Sequence, residues 1–148
     1  MEARDRGART GVSCVLILLS NLELTKTKSG LELLNSDDHR PAIRKAEKQY
    51  EEYRPDITHQ CLLSLLDSPL NKAGMLQIFI HTATGVLIEV SPKTRIPRTY
   101  KRFAGVMAQC LKKFRIRAAK TSDTLMRVVK NPVTLHFPTN VRKIALSS

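Results

Sequence analysis

The sequence predicts an α/β domain, and three features of the chain support this prediction. A short apolar run at residues 12–19 is typical of a strand that is buried on both faces of a sheet. Apolar and polar residues alternate over residues 76–90 around a Thr-Ala-Thr-Gly turn, which predicts a β-hairpin. Apolar residues also recur at helical spacing before and after the hairpin. This order favours an α/β fold, with a mainly parallel sheet and a β-hairpin extension, over a helical bundle.

The segment before the hairpin predicts a helix. Ile57, Cys61 and Leu65, with Leu62 and Leu66, recur at spacings of three and four and form one apolar face of a helix. Asp56 is a residue type that caps helix N-termini, and Pro69 cannot continue the helix. We therefore expect the helix to begin near Asp56 and to end before Pro69.

A second helix is predicted after the hairpin. Its amphipathic pattern runs from about Arg98 to Ile116, and Pro97 is well placed to be the first helical residue. Its apolar stripe consists of Phe103, Met107, Cys110 and Phe114. Further expectations are a flexible leader over residues 1–11, a helical turn at 31–34, a short helix over 121–130 and a strand over 141–146. The domain itself is predicted to cover residues 12–148.

Positive charge is concentrated in the last part of the chain. The 148 residues carry a net charge of +12, but residues 1–89 hold 11 basic and 12 acidic side chains, whereas residues 90–148 hold 14 basic side chains and one acidic one. A one-sided basic surface attracts polyanions and is typical of nucleic-acid binding. The alternatives are a solvated face or a patch for anionic lipid.

Arginines are the candidate binding residues. Arg98 and Arg102 are four residues apart and are expected on one side of a helix, with Arg95 in the preceding loop. Arginine suits phosphate because its planar guanidinium group donates two parallel hydrogen bonds. Arg54 lies in a separate stretch, and Asp56 is placed to orient it. We expect these guanidinium groups to converge into one cradle for RNA; the alternative is a soluble surface in which they cap carbonyl groups.

Other chemistry has weaker support in the sequence. Asp67 is either a general base or simply part of a helix stop. Three scattered cysteines do not form a disulfide framework or a zinc motif, and they favour a reducing compartment. The four histidines show no metal-ligand spacing, and no apolar run is long enough for a membrane span. We therefore expect no metal site and no membrane association.

Five segments carry a resemblance to a known family. Residues 54–60 (RPDITHQ), 66–74 (LDSPLNKAG), 87–90 (LIEV), 95–99 (RIPRT) and 129–132 (VKNP) closely resemble the eukaryotic ribosome-biogenesis pseudouridine N1-methyltransferases. These enzymes belong to the SPOUT class, which has an α/β knot. The segments follow the family order at fitting intervals over most of the chain.

The resemblance implies a function and a set of site residues. It implies methylation of a pseudouridine in small-subunit rRNA with S-adenosylmethionine, a nucleolar location in the nucleus, pre-ribosomal assembly factors as partners and homodimers. The rRNA-contacting arginines of the family match Arg54, Arg95, Arg98 and Arg102, and Asp56 matches the acid that steadies the first of them.

The family continues beyond the segment that matches residues 136–138, into the half that forms the knot and binds the methyl donor. We therefore expect an incomplete SPOUT-like domain that keeps the rRNA-binding half and contains no donor-binding residues. The alternatives are a non-catalytic rRNA-binding assembly factor and an inert, shortened product.

Overall fold

A five-stranded sheet carries the fold, with helices packed on it and a separate two-stranded sheet beside it. The computed structural model describes residues 14–35, 38–45, 53–137 and 142–145. The predicted leader over residues 1–11 lies outside these ranges. The described elements, in chain order, are β1 (Cys14–Ser20), β2 (Leu24–Thr27), β3 (Gly30–Leu33), α1 (Arg40–Lys45), α2 (Pro55–Leu66), α3 (Pro69–Lys72), β4 (Leu76–Thr82), β5 (Leu87–Val90), α4 (Tyr100–Lys113), β6 (Arg115–Arg117), β7 (Thr124–Val129) and a 3-10 helix (Val133–His136).

Strands β1 and β4 form the parallel part of the sheet, with Cys14 opposite Leu76 and Ser20 opposite Thr82. Parallel neighbours need a long crossover connection, and the segment between them supplies one that includes α2. The apolar run near the N-terminus therefore forms a strand, as predicted.

The predicted hairpin is β4 and β5, which pair antiparallel with Ile80 opposite Ile88. The Thr82 hydroxyl accepts a hydrogen bond from the Val86 N–H group at 2.9 Å, and Gly85 has a φ of 90°. A positive φ suits glycine because it has no β-carbon. The turn chemistry thus fixes this connection locally.

The five strands lie in the order β1-β4-β5-β7-β6, and the α/β class is confirmed. One of the four pairings, β1 with β4, is parallel, and the other three are antiparallel. The expected mainly parallel sheet is thus a mixed sheet within the described residues. The β4–β5 and β6–β7 connections are too short for a parallel crossover, so each reverses the chain direction.

Three local predictions differ from the structure. The helix predicted over residues 121–130 is strand β7, which pairs with β5 and β6 and contains the β-branched Val128 and Val129. The helical turn predicted at 31–34 is part of β3, which pairs with β2. Residues 142–145 are neither helix nor strand, and the ends of the strand predicted there lie outside the described residues.

The core lies between one face of the sheet and helices α2 and α4. Leu62 from α2 and Phe103 and Met107 from α4 are fully buried against apolar residues of the central strands. This packing holds the N-terminal end of α4 close to α2, and it positions the segment between β5 and α4 against both helices.

Candidate nucleic-acid interface

Arg54 lies immediately before α2, and Asp56 holds its guanidinium group. The Arg54 Nε and Nη2 groups donate to the two Asp56 carboxylate oxygens at 3.0 and 2.9 Å. Both side chains are about half exposed, at 45% and 44%. A two-bond contact of this kind fixes the plane of the guanidinium group. The structure thus shows Asp56 in contact with Arg54 in the way that the orienting role requires.

Asp56 is not at the N-cap position. Arg54 occupies the N-cap position and Pro55 the first helical position, so Asp56 lies inside the first turn. The hydrogen bond from Arg54, more than any other influence, holds the pKa of the Asp56 carboxyl below its usual range, and hydrogen bonds from the backbone N–H groups of Asp56 and Ile57 also lower this pKa. Its negative charge also interacts favourably with the N-terminal end of the helix dipole.

A groove of about 480 Å³ opens beside Arg54. Its walls combine this guanidinium group with exposed apolar side chains, namely Ile57 at 52% and Leu19 at 81% exposure. Ser20 and Thr58 share a hydroxyl hydrogen bond of 2.6 Å in the same wall. Apolar surface beside hydroxyl groups and a cation suits a nucleotide, which presents a flat base, sugar hydroxyls and a phosphate.

The opposite end of α2 carries a second basic site. A groove of about 750 Å³ there is lined by four cations, Lys72, Lys93, Arg95 and Arg98, and by one carboxylate, Asp67. The Arg98 Nη2 atom lies 3.6 Å from an Asp67 carboxylate oxygen, and these side chains are 79% and 59% exposed. Such an exposed pair is weak, so Arg98 is free to contact a phosphate.

Arg98 and Arg102 do not share a helix, contrary to the prediction. Helix α4 begins at Tyr100, and its N-cap residue Thr99 is extended, with φ −88° and ψ 136°. The Pro97 carbonyl oxygen accepts a hydrogen bond from the His59 ring at 2.6 Å. Because Thr99 is extended, Arg98 belongs to the loop and Arg102 to the first turn of α4.

The arginines line two different grooves, and their convergence on one RNA stays a prediction. Arg54 precedes α2, whereas Arg98 contacts Asp67, which follows it. A helix of 12 residues is about 18 Å long. Arg95 and Arg98 share one groove, and Arg54 lines the other. Arg102 is exposed on α4 and lines neither of these two grooves.

Two residues of this region were not identified as functional from the sequence. His59 is buried and stacks on Phe103 with ring centroids 4.6 Å apart, and its contact with Pro97 positions the arginine loop. Asn71 lines the larger groove, and its amide donates to the carbonyl oxygens of Leu66 and Pro92. Both residues lie in segments that carry the family resemblance, but their residue types alone do not show these contacts.

The Asn71 side-chain oxygen is buried and has no hydrogen-bond partner among the described residues. Buried acceptors usually have a donor, so this atom suits a hydroxyl or N–H group that enters the groove.

In the described ranges, no cluster of three histidine, cysteine or acidic side chains is arranged to hold a metal. None of the described helices is long and apolar enough to cross a membrane.

Comparison with known proteins finds a family model and several relatives that match most of the chain. Residues 15–148 match the family model described as EMG1/NEP1 methyltransferase. The chain is 53% identical to the ribosomal RNA small subunit methyltransferase NEP1 of Candida albicans, covering 90% of this chain and 53% of that protein. It is 49% identical to the protein of the same name from Mus musculus, covering 95% of this chain and 59% of that protein.

A solved structure shares the fold. The chain resembles the crystal structure of Archaeoglobus fulgidus Nep1 bound to S-adenosylhomocysteine, with a TM-score of 0.55 and 30% identity over 81% of this chain and 61% of that one. The chain thus spans about half the length of the curated relatives that it matches.

Proposed function

The chain belongs to the EMG1/NEP1 methyltransferase family, and we propose on this basis that it forms the RNA-binding part of a small-subunit rRNA methyltransferase. The relatives' names describe methyltransferases of small-subunit ribosomal RNA. This chain contributes four exposed arginines, Arg54, Arg95, Arg98 and Arg102, at positions that the family resemblance assigns to rRNA contacts.

The separation of the basic sites along α2 is the observation that carries this proposal. The Arg54 side chain contacts Asp56 at one end of α2, and the Arg98 side chain reaches Asp67 at the other. A helix of this length is about 18 Å long, which corresponds to about five nucleotides of a stacked strand at about 3.4 Å each. Arg54 is held by Asp56 at one end, and Arg95 and Arg98 line the groove at the other. An extended RNA strand along α2 reaches both sites, whereas a single small anion reaches one.

The methyl donor fits the described residues poorly. S-adenosylmethionine supplies an electrophilic methyl group on a sulfonium cation. The larger groove is lined by four cationic side chains and one carboxylate, and like charges repel at these distances in a partly desolvated groove. The same cations attract phosphate. We therefore assign the described residues to the RNA and not to the donor.

Methyl transfer requires the donor and the acceptor nitrogen to be held at near-attack distance. The described residues meet half of this requirement, since they hold and orient the RNA. In the proposed role, Arg54 and Arg98 fix two phosphates on either side of the target nucleotide, and the unpaired oxygen of Asn71 accepts a hydrogen bond from the nucleotide in the groove.

The test uses RNAs of different length. Fluorescence anisotropy with a single-stranded segment of small-subunit rRNA measures the affinity of the unaltered chain and of the Arg54→Ala and Arg98→Ala variants. Each variant should weaken binding of a long segment, and the two losses should add. On an RNA too short to span α2, the double variant should lose no more than the more affected single variant. A loss that does not depend on RNA length contradicts the two-site arrangement.

A second candidate is a non-catalytic assembly factor that binds rRNA with the same arginines. The poor fit of the donor to the grooves favours it for this chain acting alone. Isothermal titration with S-adenosylmethionine tests the poor fit of the donor: both roles predict no measurable heat for this chain alone, and saturable binding would contradict the assignment of the grooves to RNA. For both roles we propose a nucleolar location and pre-ribosomal assembly factors as partners, as the family resemblance implies. Sedimentation measures whether the chain also forms the homodimer that the resemblance implies.

A further inference from the structure

The C-terminal end of α4 carries a second group of exposed cations around an exposed aromatic ring. The exposed cations are Lys112, Lys113, Arg115, Arg117 and Lys120. In the described part of the chain, none of them forms an ion pair with a carboxylate. The sequence has no acidic residue from Val90 to Ser122. Uncompensated like charges repel one another, so this group of cations favours the binding of a polyanion.

Phe114 is unusual both in its exposure and in its backbone. Its side chain is 59% exposed. Among the described residues, it is the one aromatic residue in the set of exposed large apolar side chains. It ends α4 in the left-handed conformation, with φ 64° and ψ 7°. Glycine is the usual residue at this position because a β-carbon is disfavoured there.

The backbone of Phe114 is nevertheless held firmly. Its N–H group donates to the Cys110 carbonyl oxygen at 2.7 Å, and its carbonyl oxygen accepts from the Val128 N–H group at 2.9 Å. The ring is therefore carried on a fixed turn between α4 and β6. A fixed aromatic ring presents its face to a partner at a low cost in conformational entropy.

The strand that follows adds an uncompensated charge. Arg115 lies opposite Arg127 in the β6–β7 pairing, and like charges at such positions are unfavourable. Glu89 compensates Arg127, since their side chains lie 3.3 Å apart. No described carboxylate compensates Arg115 in the same way. A phosphate beside Arg115 would offset this repulsion.

We propose that Phe114, together with the cations of residues 112–120, forms a second surface for single-stranded RNA. We name it the Phe114 surface. The ring stacks on an unpaired base, and the cations contact the phosphates on either side. From Arg102 to Lys112 the helix rises by about 15 Å. The Phe114 surface therefore lies at the other end of α4 from Arg102, and it extends the proposed RNA path along this helix.

An anionic membrane fits this surface less well. Membrane-surface helices bury one apolar face in the lipid. The apolar stripe of α4, which includes Phe103, Met107 and Cys110, is buried in the protein core. A single exposed ring beside cations suits a base and its phosphates better than it suits lipid chains.

The test compares Phe114→Leu with the unaltered chain on single-stranded and duplex RNA of equal length. Leucine removes the aromatic face and keeps an apolar side chain. We expect about tenfold weaker binding of the single strand and little change with the duplex, because stacking needs an unpaired base. The Lys112→Ala, Lys113→Ala double variant should weaken binding of both RNAs. A double variant of Lys26 and Lys28, two exposed lysines of the β2–β3 hairpin, is the charge-matched control.

Ultraviolet cross-linking of the unaltered chain to uridine-rich RNA provides a readout that does not depend on how a variant folds. Cross-linked peptides should include Phe114 even when Arg98 and Arg102 are replaced by alanine, which separates this surface from the proposed function. Three results would overturn the proposal: equal losses on both RNAs, cross-links confined to other segments, or Phe114-dependent binding to anionic vesicles or to a second copy of the chain in place of RNA.

Discussion

His59 donates a hydrogen bond from its ring Nε2 to the carbonyl oxygen of Pro97 at 2.6 Å and thereby connects α2 to the loop that carries Arg95 and Arg98. The ring is buried and stacked on Phe103. The carbonyl can only accept, so the Nε2 atom carries the proton in this contact. The position of the arginine loop therefore depends on a side chain that does not itself line either groove.

The His59→Phe variant should separate the stacking from the hydrogen bond. Phenylalanine keeps an aromatic ring against Phe103 but leaves the Pro97 carbonyl without its donor. We expect a loss of about 1 kcal/mol of unfolding free energy, or about 2–4 °C in Tm for a domain of this size. Thermal unfolding measures the stability, and RNA anisotropy measures the affinity. Stability and affinity that both equal those of the unaltered chain would show that this contact does not position the loop.

The pair of Arg54 and Asp56 predicts a pH dependence. Arg54 lowers the pKa of the Asp56 carboxyl in the folded state. The contribution of the pair to stability is therefore fully present above the unfolded-state pKa of about 3.9 and is lost as the pH falls through the lower, folded-state value. Nuclear magnetic resonance titration of the Asp56 carboxyl carbon measures this directly. A midpoint at or above the ordinary value would contradict the pairing.

The Asp56→Asn variant tests the orienting role of the same carboxylate. The amide keeps the size of the side chain but removes the charge and one acceptor oxygen. Exposed ion pairs contribute at most about 1 kcal/mol, so RNA binding should weaken by no more than about fivefold. The Arg54→Ala variant should cost at least as much, since it removes the cation itself. A larger loss for Asp56→Asn than for Arg54→Ala would mean that Asp56 acts other than through Arg54.

The cysteines should differ in reactivity. Burial raises the pKa of the Cys110 thiol to about 11, whereas Cys14 and Cys61 are partly exposed. The thiolate is the reactive form, so Cys110 should be alkylated last at mildly alkaline pH. Mass spectrometry after timed treatment with iodoacetamide measures the order. Early alkylation of Cys110 in the folded chain would contradict its burial in the core.

Ser68 provides a test of the turn beside the larger groove, which Asp67 and Asn71 line. Its hydroxyl accepts a hydrogen bond from the Asn71 N–H group at 3.2 Å and donates to the Leu65 carbonyl oxygen at 2.6 Å. Replacing a cap of this kind with alanine costs about 1 kcal/mol. Ser68→Ala should therefore lower the Tm, and Ser68→Asp, which keeps an acceptor, should lower it less. Equal losses in both variants would show that the capping contact is not what stabilises the turn.

Local patterns were sufficient to predict the elements whose stability is local. The hairpin of β4 and β5 follows from its turn residues and its alternation, and α4 follows from its apolar stripe. Strand β7 was predicted as a helix because its pairing partners, β5 and β6, are distant in the sequence or very short. Non-local strand pairing of this kind overrides the local secondary-structure propensity of a segment.

The candidate site was predicted only in part, because some of its contacts join residues that are distant in the sequence. Arginine composition and the family resemblance select Arg54, Arg95, Arg98 and Arg102, and the spacing of Arg54 and Asp56 indicates their contact. The separation of the sites depends on the length of α2 and on where Arg98 reaches Asp67. The His59 contact with Pro97 joins residues 38 positions apart. No local pattern indicates it.

The most direct test of RNA binding by these arginines is the salt dependence of affinity. Each phosphate neutralised on a single strand contributes about −0.7 to the slope of log affinity against log salt, so all four arginines contribute about −3. Replacing both Arg98 and Arg102 with alanine should make the slope shallower by about 1.4, and replacing Lys26 and Lys28 should leave it nearly unchanged. An unchanged slope in the Arg98 and Arg102 double variant would contradict the account.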